Sequence, residues 1–383
     1  MRIVIAPDSF KESLPAAAVA RAIAEGVRAV LPDAELEALP LADGGEGTAA
    51  ALVAASAGHF VATEVTGPRG ERLRASYGVL GGGRGAVIEM ASASGLALVP
   101  PAARDPLETT SYGTGELIRA ALDAGLHVIV IAIGGSATVD GGAGLVQALG
   151  AVFRRADGST IAEPMTGARL AEVAGVDVTH LHRGLRDAEL RIACDVDNPL
   201  LGAHGAAAVF GPQKGATAAQ VAQLDAALAA FYDVVEASLG CSVRERPGAG
   251  AAGGAGAALL AFLGATLQPG VTLVMDALDL ETRLRGATLV ITGEGRLDVQ
   301  TLHGKAPSGV ARAARALDVP VVAIGGAIDA DAEQALAARF DAIEACVTQP
   351  LSLDEALHDA PAALRRAGAR VARWLQLAQR LRD

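Results

Sequence analysis

Short apolar runs alternate with amphipathic stretches at both ends of the chain. Residues 2–6 read as a strand. Residues 15–30 read as a helix with Pro15 near its first turn, where a missing amide donor costs little. Residues 35–39 and 46–57 repeat strand and helix. The same grammar returns later, with strands at 287–292, 319–324 and 342–347 and helices at 306–317, 330–338 and 353–376. Strands separated by helices in this way predict a five-stranded parallel sheet with right-handed crossovers. The middle reads differently. Strands at 61–66, 73–80 and 86–90 are joined by Gly-Pro and Gly-Gly-Gly turns, which is hairpin patterning. A helix at 115–124, a buried strand at 128–133, a helix at 142–149, a strand at 191–195 and helices at 217–239 and 253–263 follow. The expected organisation is one α/β domain formed by 1–58 and 286–383, carrying an inserted α/β domain at 59–285.

In an open parallel sheet, ligands sit beyond the carboxyl ends of strands where strand order reverses. A 2-1-3-4-5 order puts that point between the strands at 2–6 and 287–292. Their continuations, Asp8-Ser9-Phe10-Lys11 and Gly293-Glu294-Gly295-Arg296-Leu297-Asp298, carry both signs of charge and are expected to converge as polar loops.

Composition sharpens the picture at three points. Aromatic residues make up only 3% of the 383 residues, so the core must be aliphatic. The net charge of -11 disfavours nucleic acid and anionic membranes as partners, although a local cationic pocket for a small anion remains open. The three cysteines form no C-x-x-C pair, no leader-like apolar segment opens the chain, and the longest apolar stretch lies near 128–133. A cytoplasmic protein is expected. Almost every basic residue is Arg; Lys11, Lys214 and Lys305 are the lysines and Asn198 the one asparagine. A lysine kept in such a chain suggests a site that needs a compact point charge.

All three lysines lie in glycine- or acid-rich segments. Lys11 follows a strand end whose free amides suit an anion, and Asp8 can hold Mg²⁺ or a substrate hydroxyl; alternatively Asp8 or Ser13 simply caps the helix. Asp43 and Glu46 flank a Gly-Gly turn and fit either a ligand or a helix capping box. The run Gly134-Gly135-Ser136-Ala137-Thr138-Val139-Asp140 opens a helix after a buried strand. Its successive amides form a nest for phosphate oxygens, with Ser136 and Thr138 as hydroxyl donors and Asp140 as metal ligand, base or helix cap. Asp195 and Asp197 alternate after a strand and suit Mg²⁺, or else mark a plain turn. Lys214 sits among turn residues. Glu294, Arg296 and Lys305 fit a functional cluster or a structural ion-pair network. Gly248-x-Gly250-x-x-Gly253 matches a dinucleotide fingerprint by letters, but no strand precedes it.

The motifs APDSFKES, ADGGEGT, IGGSATVDGG, ACDVDNPLLG, AAVFGPQKGAT and ITGEGRLDVQTLHGKAP, in this order, resemble the bacterial-type (class I) glycerate kinases over residues 1 to about 350. The resemblance implies a flavodoxin-like domain and a second α/β domain likened to restriction endonucleases. It also implies Mg²⁺ and ATP-dependent phosphorylation of D-glycerate, usually to 2-phosphoglycerate. On that reading Gly134, Gly135, Ser136, Thr138 and Lys214 bind nucleotide phosphates. Lys11 and Lys305 neutralise the transferring group. Asp195, Asp197 or Glu294 holds Mg²⁺. Arg296, Ser9, Asp43 and Glu46 bind substrate, and Asp8 or Asp140 orients the attacking hydroxyl or takes its proton. The family usually has Asn where this chain has Val139, so no polar ligand is expected there. A monomer or homodimer is expected. The competing expectations are a kinase of another hydroxy acid, a dinucleotide-dependent oxidoreductase of such an acid, and a non-catalytic sensor.

Overall fold

The computed structural model describes residues 1–42, 47–302 and 304–381, and within it the chain divides into two compact units. Unit 1 takes residues 1–43, 50–56 and 271–383; unit 2 takes 44–49 and 57–270. Residues 271–285, expected with the insert, thus belong with the outer segments. They form the helices Gly270–Ala277 and Leu280–Leu284, whose Leu273, Val274, Leu280 and Leu284 are buried, and the second of these helices packs on the helix Ala306–Ala316.

Unit 1 is a parallel five-stranded sheet in the order Ala342–Ala345, Val321–Ile328, Leu289–Leu297, Arg2–Ile5, Glu35–Ala38. In chain order this is 2-1-3-4-5 read from the Glu35–Ala38 edge. Ile3, Val4 and Ile5 are fully buried, as a central strand covered on both faces requires. On one face Ile3 and Ile5 pack with Val19, Ile23 and Val27 of the helix Ala16–Val30 and with Leu364, Ala367 and Val371 of the helix Leu353–Arg380. These two helices approach closely. Gly26 lies against the Arg365 carbonyl, and Gly368 lies against that of Ile23, where a Cβ would stand 2.5 Å from the oxygen.

One strand runs longer than its apolar pattern. Leu289–Leu297 continues through the segment expected as a loop at 293–298. Past Ile291 its ladder to the first strand ends, and it pairs on through Glu294↔Gly325, Arg296↔Ala327 and Leu297↔Ile328. The polar Glu294 is buried on this extension and is offset by the Lys305 ammonium.

Unit 2 holds a six-stranded sheet in the order Thr266–Gln268, Glu189–Ala193, Val128–Ala132, Gly85–Glu89, Arg72–Val79, His59–Thr66. The first four strands are parallel and the last two form the antiparallel hairpins that the turns predicted. Ile88, Ile129, Ile131, Leu190 and Ile192 pack against Leu117, Ile118 and an aromatic group in which the Phe153 and Phe231 rings meet edge to face at 5.4 Å. Two short elements carry no periodic signal and were not expected: the Thr266–Gln268 strand and a ribbon pairing Val152–Arg154 with Gly175–Asp177.

Candidate active site

In unit 2 the loops of interest leave the carboxyl ends of the adjacent parallel strands Val128–Ala132 and Glu189–Ala193. The first strand is an uninterrupted apolar run, and it stops where Gly134-Gly135 expose their backbone. Gly135 adopts a left-handed φ of 72°, which turns the chain, and its carbonyl accepts from the Leu96 amide at 2.8 Å. The Ala137 amide donates to Ser94 O at 2.9 Å, and the Thr109 hydroxyl donates to Ala137 O at 3.0 Å. The loop is therefore held from several sides while its glycines face outward.

Lys214 reaches this loop from the 3₁₀ turn Pro212–Lys214. Its ammonium donates to Ser136 Oγ at 2.8 Å and to Thr138 O at 2.7 Å, and only 2% of the residue is exposed. Burial pushes the lysine down to about 7, with the Asp140 carboxylate opposing the shift. An ammonium has three protons to donate, and these two acceptors leave one for an incoming anion.

Asp140 has turned inward. It is fully buried; Oδ2 accepts from the Ser111 amide at 2.7 Å, the Ser111 hydroxyl at 2.6 Å and the Gly144 amide at 3.3 Å, and Oδ1 accepts from the Gly142 amide at 3.1 Å. Burial raises its pKa and these four bonds oppose the rise. A carboxylate so engaged ties the loop to the start of the helix Tyr112–Asp123, which is the work of a holding group. Ser111 was missed because its partner lies far along the chain; the Thr109-Thr110-Ser111 run before that helix was the available signal. Val139 is fully buried in the apolar core. The Thr138 hydroxyl is buried with no hydrogen-bond partner among the described residues.

On the second loop Asp195 and Asp197 are exposed, and Asp195 Oδ1 accepts from the Gly270 amide at 2.9 Å. The lone asparagine serves the fold: Asn198 Nδ2 donates to His204 O at 2.8 Å. The Gly248–Gly253 stretch is backbone packing, with Gly250 N bonded to Asn198 O at 2.9 Å and Gly253 O accepting from Gly141 N at 3.0 Å.

In unit 1 the two strand ends at the order reversal do meet. The Asp8 amide donates to Gly293 O at 2.8 Å and the Thr292 hydroxyl to Ala6 O at 2.8 Å. Asp8 is buried, and its Oδ1 accepts from the Ser9 amide at 2.6 Å. Lys11 projects outward from a tight turn closed by Phe10 and Leu14, in which Glu12 takes a φ of 63°. Glu294 is buried and accepts from Lys305 Nζ at 3.0 Å through Oε2, while Asp298 Oδ1 lies 4.0 Å from the same ammonium. Burial raises the Glu294 pKa; Thr301 and Lys305 oppose the rise. Glu294 Oε1 makes no hydrogen bond of ordinary geometry among the described residues. Arg296 points to solvent and pairs with Asp329 at 3.0 Å, a partner that the sequence did not suggest. Asp43 and Glu46 lie outside the described residues. Among the described residues no three His, Cys, Asp or Glu side chains are grouped to hold a metal ion.

The two clusters are, in unit 2, an exposed glycine turn beside a buried ammonium that holds Ser136 and Thr138, and in unit 1, a lysine paired with a buried carboxylate. Comparison with known proteins bears on what they serve. Residues 3–376 match the family model described as the glycerate kinase family. A Bacillus subtilis (strain 168) protein named glycerate kinase is 50% identical over 99% of both chains. An Escherichia coli (strain K12) protein named glycerate 2-kinase is 49% identical, again over 99% of both. A crystal structure of a Salmonella typhimurium LT2 protein superposes with a TM-score of 0.91 at 52% identity, covering 99% of each chain.

Proposed function

Because this chain belongs to the glycerate kinase family, we propose that it transfers the γ-phosphoryl group of ATP to the 2-hydroxyl of D-glycerate, giving 2-phosphoglycerate. The kinase assignment itself rests on the family match and on relatives of about half identity along the whole chain. The choice of the 2-hydroxyl rests on the Escherichia coli relative named glycerate 2-kinase.

The observation that carries the residue map is the buried Lys214 ammonium beneath the glycine turn, holding Ser136 and the Thr138 carbonyl. Phosphoryl transfer passes through a loose transition state, so a kinase works by positioning and by neutralising charge. The exposed amides of Gly134 and Gly135, with the Ser136 hydroxyl, would cradle phosphate oxygens, and Lys214 would give its remaining proton to one of them. Thr138 serves this cradle through its carbonyl. Lys11 and Lys305 would carry positive charge to the transferring group, as point charges suited to a phosphoryl oxygen. Asp8, held by the Ser9 amide, is the candidate to orient the attacking hydroxyl. Asp140 acts as a holding group for the loop. Arg296 would bind the substrate carboxylate by exchanging Asp329 for it.

The donor set fits Mg²⁺, which binds with one or two protein carboxylates and completes its shell with phosphate oxygens and water. Glu294 Oε1, buried and with no hydrogen bond of ordinary geometry among the described residues, suits one such position; Asp195 and Asp197 are exposed hard-oxygen donors for another. Bound there, the ion would neutralise phosphate charge. Three free cysteines support a reducing, cytoplasmic setting.

The test is a coupled assay of ADP release with D-glycerate and ATP, followed by ³¹P NMR of the product. ADP formation with a 2-phosphoglycerate resonance is expected. A 3-phosphoglycerate resonance overturns the choice of hydroxyl, and turnover only with other hydroxy acids overturns the substrate.

A further inference from the structure

The loop that carries Ser136 and Thr138 does not hold its own shape. Behind it lies a stretch of backbone in a conformation that L-residues avoid. Ala252, Gly253 and Gly254 are successively left-handed, with φ of 53°, 70° and 93°, inside what otherwise reads as the helix Ala251–Leu263. Such a run is costly, above all at Ala252, and persists only where the surroundings enforce it. What it achieves is close approach. A Cβ on Gly253 would run into the carbonyl oxygen of Thr138, the same oxygen that accepts from Lys214. A Cβ on Gly254 would stand 2.8 Å from the Cα of Gly141. The Gly141 amide is bonded to Gly253 O at 3.0 Å.

Tyr232 closes the arrangement from the helix Ala218–Leu239. It is fully buried, and its hydroxyl proton is directed to Gly141 O at 2.8 Å, with Gly254 O a second, longer acceptor at 3.4 Å. Burial and the nearby Asp140 raise its pKa, so it remains a neutral donor. Its ring meets Phe231 edge to face at 5.2 Å, which fixes where the hydroxyl points.

We propose that Tyr232 and the left-handed turn at Ala252–Gly254 are positioning residues for nucleotide binding, acting through the backbone of Thr138 and Gly141 to set the phosphate-binding loop. Neither touches the nucleotide. The inference rests on the reading of the Gly134–Ser136 loop and Lys214 as the phosphate site. It adds that this site's affinity is set from a second layer of the unit.

The test is Tyr232→Phe, which keeps the ring and removes the hydroxyl, alongside Gly253→Ala. ADP binding is measured by calorimetry, and KM for ATP and for glycerate by steady-state kinetics. Loss of one loop-setting hydrogen bond should raise the ATP KM of Tyr232→Phe about 5- to 10-fold and weaken ADP binding in parallel, with the glycerate KM within about twofold of wild type. Gly253→Ala should act in the same direction and more strongly. Should Gly253→Ala not fold, Tyr232→Phe alone decides.

A Tyr232→Phe protein that melts lower but keeps wild-type ADP binding and ATP KM makes the tyrosine structural and overturns the proposal. Lys214→Met separates the two readings. If it weakens ADP binding while Tyr232→Phe does not, the phosphate site stands and the positioning role fails. If Lys214→Met leaves ADP binding intact, the phosphate site itself is wrong and the proposal falls with it.

Discussion

Lys214 is a base stored out of water with one proton in reserve, and its behaviour with pH follows. Its ordinary value is 10.5, and burial brings it to about 7. Between these values the unfolded chain keeps a proton that the folded chain has lost, so this residue's contribution to stability rises as pH increases through that window. Comparing wild type with Lys214→Met by urea unfolding from pH 7 to 10 should show the wild type gaining relative stability with pH. Catalysis should move the other way: as the ammonium discharges above pH 7, the ATP KM of the wild type should climb, and that of Lys214→Met should stay flat. Asp140 calls for a different experiment. An Asn in its place can keep its oxygen toward Ser111 and the Gly144 amide, but then turns its NH2 group toward the Gly142 amide, setting donor against donor in a buried site. Asp140→Asn should cost about 2–3 kcal/mol, read as a lowered urea midpoint.

Among the elements, the contact of the helices Ala16–Val30 and Leu353–Arg380 is where small changes should be felt most. Gly26→Ala would drive a methyl into the Arg365 carbonyl, and helix backbones at that separation cannot both stay put. A loss of roughly 1–3 kcal/mol is expected from thermal unfolding, with no change in either KM in the folded fraction. This contact was not legible in the sequence, since Gly26 looks like any weak helix former. The five-stranded parallel sheet was legible, because alternating strands and helices leave few topologies open, and its order is the one supposed for it. So was the meeting of Asp8 with the Gly293 segment. What escaped was longer-range bonding: the Leu289–Leu297 strand running past its apolar part, the Ser111–Asp140 link and the Arg296–Asp329 pair. Each depends on a partner that no local pattern names. The glycines at 248, 250 and 253, set aside as a dinucleotide fingerprint because no strand precedes them, do mark close approach, but to other backbone.

At the level of the whole chain, connectivity is the prominent feature. The sheet of unit 1 takes its middle strand from Leu289–Leu297 and that strand's neighbour from Arg2–Ile5, so the two halves of the order reversal are separated by all of unit 2. The hydrophobic cluster of unit 2 draws only on residues 61–267, whereas that of unit 1 needs residues from both sides of the insertion. Contacts this distant in sequence are slow to form.

During synthesis, then, the ribosome releases the first strand long before anything exists for it to pair with on that side. Unit 2 has its whole hydrophobic cluster in hand while the Asp8 and Glu294 ends are still apart. Pulse-labelled amides of Val128–Ala132 should become protected before those of Arg2–Ile5. The amino-terminal strand, apolar and waiting, is the part of this molecule that most needs shelter while the polypeptide is being made.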